Sequence, residues 1–291
     1  MKICVFHADC LDGLGAAAVV KMKYPDVVLY DMKYGDKLDF TTIISGKKLD
    51  DLYIVDFSFS KEQITMICEL FNMVTIIDHH KTYEPTHVSW NEKPANFISV
   101  YDPNMSGSTL AYLTLFDEHI PKRFLYIEDR DLWKWKIPNS AEFTTAAYDL
   151  YLAEGRDAII DKLSRDDIFS EEHMITIGSI LEKAKKNSIS QLIKNVHITM
   201  FYGANKIYGR TLRVGLVNSP IYMSELGNEI CSIFDVDMAV VWYNKDGKYK
   251  ISARSIGDFN VLPCIEVLGG GGHQRAAGAI MEQNPIDYFN S

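Results

Sequence analysis

Along the first half of the chain, apolar residues come in short runs, and polar residues gather where each run stops. The runs 2–6 (KICVF), 27–31 (VVLYD), 52–55 (LYIV) and 74–77 (VTII) are short and rich in branched side chains, which predicts strands. Helix-like segments separate them. Residues 13–22 (GLGAAAVVKM) are alanine-rich with charge only at the far end, which predicts a buried helix. Residues 60–71 predict another, with Ser60 as N-cap, and residues 106–119 (SGSTLAYLTLFDEH) predict a third capped helix. Strands alternating with helices predict a parallel sheet, whose ligands gather at the carboxyl ends of the strands.

The pattern changes after residues 168–194, a long, partly amphipathic helical stretch containing EKAKKNS that reads as a connector. Beyond it, residues 197–202, 212–217, 238–243 and 249–254 predict strands, with 244–248 (NKDGK) as a turn between the last two. The glycine run 269–272 and AAGAIM predict a tight turn into a final strand. The expected class is α/β. A parallel-sheet domain over residues 1–165 is followed by a linker helix over 166–195 and a smaller α/β domain with a mixed sheet over 196–291.

Composition narrows the partners. With 291 residues, 47% hydrophobic and 24% charged, the chain has material for two ordinary cores. A net charge of −9 and a pI near 5.4 give no basic footprint for long duplex nucleic acid. A short oligonucleotide or nucleotide held by a local site remains compatible. The five cysteines are widely spaced and odd in number, which argues against a disulfide framework and for a reducing, cytoplasmic setting. No apolar run approaches the ~20 residues of a membrane span, and His7, Asp9 and Asp12 interrupt the N-terminal one, so no secretory signal is expected. A homodimer is left open.

The candidate chemistry sits where the runs stop: His7/Asp9/Asp12 in HADCLDG, Asp56 in IVDFS, Asp78–His79–His80 in IIDHHK, and Asp129/Asp131 in YIEDRDLW. One aspartate after a strand is ordinarily a turn or cap residue. Two adjacent histidines beside an aspartate are not what packing or solubility asks for. Several carboxylates with up to three imidazoles suit Mn²⁺, with Mg²⁺, Co²⁺ or Fe²⁺ also accommodated. They exceed what one ion needs, which suggests two metals bridged by a shared carboxylate, an arrangement that activates water and clamps a phosphoryl group. In the second half, GGGGHQRAAG would let backbone amides approach an anion closely, with His273 and Arg275 adding charge, and Arg254 in KISARS is a further phosphate ligand candidate. Trp133 and Trp135, flanking Lys134, are core or domain-interface residues on one reading and a base-stacking platform on another.

Taken in order, these motifs resemble the DHH phosphoesterase superfamily. IIDHHK is similar to its name-giving motif, and HADCLDG, IVDFS and YIEDRDLW to its first, second and fourth. KISARS with GGGGHQRAAG resembles the DHH-associated C-terminal domain. The resemblance runs from residue 7 to residue 278. It implies an N-terminal domain holding two Mn²⁺ ions and a C-terminal domain that binds the far end of the substrate. It further implies metal ligation by His7, Asp12, Asp56 (bridging), His79 and Asp129, the last ahead of Asp131. Asp56, His79 and His80 would be catalytic, with His80 nearer the substrate phosphate. Arg254, Gly270, Gly271, His273 and Arg275 would bind substrate.

The first motif departs from the pattern, since Cys10 stands where the family carries an aspartate. Either Asp9 substitutes, or Cys10 lies beside the metal and shifts preference toward Zn²⁺ or Fe²⁺, or that site is one ligand short. The implied activity is hydrolysis of short RNA or DNA oligonucleotides by metal-activated water. The alternatives are action on cyclic mono- or dinucleotides or on 3′-phosphoadenosine 5′-phosphate, and a catalytically weak nucleotide-binding module.

Overall fold

The computed structural model describes residues 1–33, 36, 40, 49–166 and 170–291. These form two compact units, Met1–Glu182 and Lys183–Ser291. The first contains β1 (Lys2–His7), α1 (Leu11–Lys23), β2 (Val28–Met32), β3 (Leu49–Val55), α2 (Lys61–Leu70), β4 (Phe71–Asp78), α3 (Glu84–Ser89), β5 (Phe97–Tyr101), α4 (Gly107–Phe116), α5 (Lys122–Asp131), α6 (Ser140–Glu154) and α7 (Arg156–Ser164). The division between the units falls within α8 (Glu171–Leu192). Ile168, the expected start of that helix, lies outside the described residues.

The N-terminal strands are all parallel, in the order β2-β1-β3-β4-β5. Their side chains alternate between two cores. Ile3, Val5, Ile54 and Ile76 pack on one face with Ile64 and Ile67 of α2. Cys4, Phe6, Val55 and Ile77 pack on the other with α1, α4, α5, α6 and α7. With both faces covered, the central strand positions are mostly apolar, which is why the strands read as short apolar runs. α1 is buried from Leu11 through Val20, so its alanines and small residues admit the close packing that a larger side chain would block.

Helix ends follow local chemistry. Ser60 and Ser106 both build capping boxes, with Gln63 and Thr109 as their partners. The helix expected over 106–119 stops at Phe116, because Asp117 turns left-handed at φ 53°. The segment holding Asp129 and Asp131 is the helix α5 and not the end of a strand. Arg123, Phe124, Tyr126, Ile127 and Asp129 are its buried residues, a helical spacing that its charges mask in the sequence.

The C-terminal unit holds β6 (His197–Phe201), α9 (Asn205–Tyr208), β7 (Leu212–Asn218), α10 (Met223–Ile233), β8 (Met238–Lys245), β9 (Lys248–Arg254), α11 (Leu262–Val267), β10 (Gly271–His273), β11 (Ala276–Met281) and α12 (Pro285–Phe289). Its sheet order is β10-β11-β9-β8-β7-β6, mixed because only β7 and β8 run parallel. The expected turn at 244–248 tightens to two residues, since Lys245 already pairs with Lys248. Asp246 (φ 53°) and Gly247 (φ 81°) supply the two positive φ angles that a tight hairpin turn requires. No helix among the described residues is long and apolar enough to cross a membrane.

Candidate metal centre

Strand register builds the site. Phe6 lies level with Val55, and Val55 with Ile77, so β1, β3 and β4 end together. The residues that follow, His7, Asp56, and Asp78 with His79 and His80, therefore share one sheet edge. Asp56 has a left-handed backbone (φ 51°), and its amide donates to the Ile77 carbonyl at 3.0 Å, which ties the turn to the neighbouring strand.

Two donor sets converge there, His7/Asp56/His80 and Asp12/His79/Asp131, each with its atoms within 4.8 Å of one another. Asp56 belongs to the first set and reaches the second. Its Oδ1 lies 3.2 Å from His79 Nε2 and 3.8 Å from His80 Nδ1, and its Oδ2 lies 3.6 Å from His7 Nδ1. His79 Nε2 is 3.8 Å from Asp12 Oδ2 and 3.6 Å from Asp131 Oδ2.

Neighbouring groups hold these side chains in place. Asp12 accepts from the amides of Gly107 (2.5 Å) and Ser108 (2.9 Å) at the start of α4. A Cβ at position 107 would lie 2.7 Å from Asp56 Cβ and 3.0 Å from Asp12 Oδ2, so only glycine allows this approach. Asp78 Oδ1 accepts from the His79 and His80 amides at 2.8 and 3.3 Å and pairs with His80 Nδ1 at 2.7 Å. That contact fixes the ring.

The crowded carboxylates and imidazoles shift one another's titration. Burial and the charge of Asp56 raise the Asp12 carboxyl. Burial, then the charge of Asp12, pushes Asp131 up to about 7. Burial works against a charged His79, but the Asp56 hydrogen bond and the charges of Asp131, Asp56 and Asp12 outweigh it and push the imidazole up to about 10. Burial likewise opposes ionisation of Asp56, and its contacts with His7 and His79 win, leaving it well below the usual carboxylate range. Asp56 Oδ2 and Asp78 Oδ2 are buried without hydrogen bonds among the described residues. Hard oxygens with imidazole nitrogens suit a divalent ion of the Mn²⁺ or Mg²⁺ kind, so the donor set fits the expected metals.

Several expected ligands lie elsewhere. Asp129 is buried, and its carboxylate accepts from the Lys136 and Ile137 amides (2.8 and 3.1 Å) and the Ser140 hydroxyl (2.5 Å). Two positions along α5 turn a side chain to a different face, so Asp131 reaches the cluster and Asp129 does not. Asp9 is exposed at φ 58°, and Lys33 Nζ (2.5 Å) and the Tyr151 hydroxyl (2.6 Å) take its carboxylate. Cys10 precedes α1, and burial and the charges of Asp56, Asp131 and Asp12 push its thiol well up. Neither Asp9 nor Cys10 joins either donor set found among the described residues. His80, expected nearer the substrate, falls within the first set. Sequence reasoning missed Gly107 and Ser108, for which SGS before a helix was the available signal.

In the C-terminal unit the expected substrate residues lie around β9, β10 and the turn before β11. Arg254 is mostly enclosed and donates to Ser224 Oγ (2.6 Å) and the Ala253 carbonyl (2.9 Å). The Gly270 amide, expected to meet a phosphate, donates here to the Ile265 carbonyl at 3.0 Å. Gly271 and His273 are exposed in β10, and Arg275 is exposed in the turn.

Residues 211–290 match the family model of the DHHA1 domain. The chain is 28% identical over 304 residues to an uncharacterized protein of Acanthamoeba polyphaga mimivirus, covering 96% of this chain and 67% of the relative. It is also 28% identical over 217 residues to the cyclic-di-AMP phosphodiesterase GdpP of Geobacillus thermodenitrificans, covering 71% of this chain but 29% of the relative's length. The solved pGpG-specific phosphodiesterase PggH of Vibrio cholerae shares the fold, with a TM-score of 0.53, 11% identity, and 98% and 95% of the two chains covered. Residues 211–290 thus match a DHHA1 domain, and the ordered N-terminal motifs and the two-sheet fold resemble those of the DHH phosphoesterase superfamily.

Proposed function

We propose that the protein is a metal-dependent phosphodiesterase that hydrolyses short linear oligonucleotides, with dinucleotides as the smallest substrates. The observation that carries this reading is Asp56, whose two oxygens face both donor sets. A divalent pair bound there would supply activated water and charge neutralisation at the phosphoryl group. Of the chain's own groups, Asp56 bridges the two sets, and Asp12, His79 and Asp131 form one wall of the site. His7 and His80 form the other, with the His80 ring held by Asp78. Water adds to phosphorus, the P–O bond to the departing nucleotide breaks, and the proton of the water passes to solvent as the leaving oxygen is protonated. Arg254, His273 and Arg275 bind the nucleotide's phosphate or sugar. In this reading residues 1–165 are the catalytic domain, 166–195 the linker, and 196–291 the substrate-binding domain. All five cysteines are free, in keeping with work in a reducing cytoplasm.

Mn²⁺- or Mg²⁺-loaded protein should cleave dinucleotides and short oligomers and lose activity on chelation. No turnover of any oligomer from the dinucleotide upward rules the reading out. The likeness to a cyclic-di-AMP phosphodiesterase supports a second reading, a cyclic dinucleotide substrate. Faster turnover of cyclic than linear dinucleotide would favour it.

A further inference from the structure

We infer that Trp133 and Trp135 form a stacking platform for an unpaired nucleobase beside the cluster that holds Asp131. The nature of the ligand rests on the phosphodiesterase reading, whereas the platform itself rests on the loop. Both tryptophans have left-handed backbones, φ 54° and 49°, a conformation that bulky L-residues rarely adopt. Both remain exposed, at 38% and 36%, with their rings 5.1 Å apart and nearly perpendicular. A turn built only to connect α5 to α6 would carry glycine or asparagine at such φ angles and would not keep two indoles in water.

The loop is also rigidly held. The Asp129 carbonyl accepts from the amides of Lys134 (2.8 Å) and Trp135 (3.3 Å), and the Asp129 carboxylate takes the next two amides and Ser140. Lys134 Nζ bonds Glu128 Oε1 at 2.9 Å. Glu128 in turn accepts from Thr109 and from the Ser106 amide, at the helix end whose next amides clamp Asp12. One network thus fixes the strained loop and a donor set together, and strain held in place beside a site points to use. Indole faces stack on any base, so the platform selects for substrates that carry a base and is indifferent to which. Base-free phosphoesters such as pyrophosphate gain nothing from it.

The test replaces the tryptophans with glycine, which suits the left-handed backbone and removes the rings. For W133G and W135G the expected result is a retained or raised melting temperature. KM for a linear dinucleotide should rise about tenfold or more per ring with kcat near wild type. The penalty should fall on the base-bearing substrate and be absent for its abasic analogue. Independently of turnover, adenosine monophosphate should quench tryptophan fluorescence in the wild type and in Asp56→Asn, but not in the double glycine variant. Quenching without hydrolysis by the wild type would remove the phosphodiesterase reading and leave the platform standing. Quenching that is absent from the wild type or survives in the double variant overturns the platform, as does an equal penalty on the abasic substrate.

Discussion

In the N-terminal unit, Asp56 Oδ2 and Asp78 Oδ2 are buried without hydrogen bonds among the described residues. In the C-terminal unit, Arg254 already donates to Ser224 and Ala253, and the Gly270 amide to Ile265. A buried polar atom left unpaired costs about 1–3 kcal/mol, and more when charged. Two such oxygens are a large penalty against a net stability of about 5–15 kcal/mol. The N-terminal cluster thus leaves two carboxylate oxygens without hydrogen bonds among the described residues, and one of them, on Asp56, belongs to a donor set that fits a cation. The C-terminal glycine run, conspicuous in sequence, folds into a hairpin that satisfies part of its own backbone. Conspicuous sequence and unsatisfied chemistry are separate signals, and only the second points to a bound ion.

The sharpest way to break this contrast is to remove the shared ligand. Asp56→Ala should abolish hydrolysis, by about 10³-fold or more, because losing a bridging ligand exceeds the ~10–100-fold typical of an outer partner. Metal content per chain should fall with it. Turnover within tenfold of wild type would refute the assignment. Asp78→Asn tests the outer partner alone. Metal affinity should drop about 10–100-fold as the His80 ring loses its anchor, measured by titration calorimetry. Unchanged affinity would mean that Asp78 only shapes the turn.

Asp131→Asn and Asp129→Ala divide the fourth motif. The first should lose metal and activity while the melting temperature holds. The second should lose about 3 kcal/mol or more of stability, because several hydrogen bonds to one buried carboxylate go at once. Denaturant midpoints read both. Equal destabilisation in the two variants would erase the distinction between ligand and scaffold.

The pair also marks how far the sequence could be read. The parallel sheet, the capped helices, the mixed C-terminal sheet, and the gathering of His7, Asp12, Asp56, His79 and His80 were legible, because strand ends and cap residues report on backbone hydrogen bonding. The choice between Asp129 and Asp131 was not, because it turns on the face of a helix whose charges hide its apolar stripe. Asp9 misled for a related reason. Its positive φ and its partners Lys33 and Tyr151 are long-range facts, with Tyr151 lying 142 positions away. Gly107 escaped notice because a close approach to Asp56 leaves no periodic trace.

The smallest expected effect probes the self-satisfied unit. Asp237 accepts from Arg210 Nη2 (2.6 Å) and from the Arg213 amide (2.8 Å) at the start of β7. Burial opposes its ionisation, but these contacts outweigh it and hold the carboxyl below its ordinary value. A carboxyl depressed in the fold stabilises above its unfolded pKa, and that stability is lost as pH falls through the folded one. Asp237→Asn should therefore cost about 1 kcal/mol near neutrality, where the paired group is only partly shielded from water. The gap to wild type should narrow as the solution is taken into acid. Urea denaturation at neutral and acidic pH checks this, with dinucleotide hydrolysis as the control. A gap that stays constant with pH would mean the carboxylate's charge contributes nothing. Lost hydrolysis at full stability would mean that the Asp237 pair itself serves the chemistry and is more than a stabilising contact.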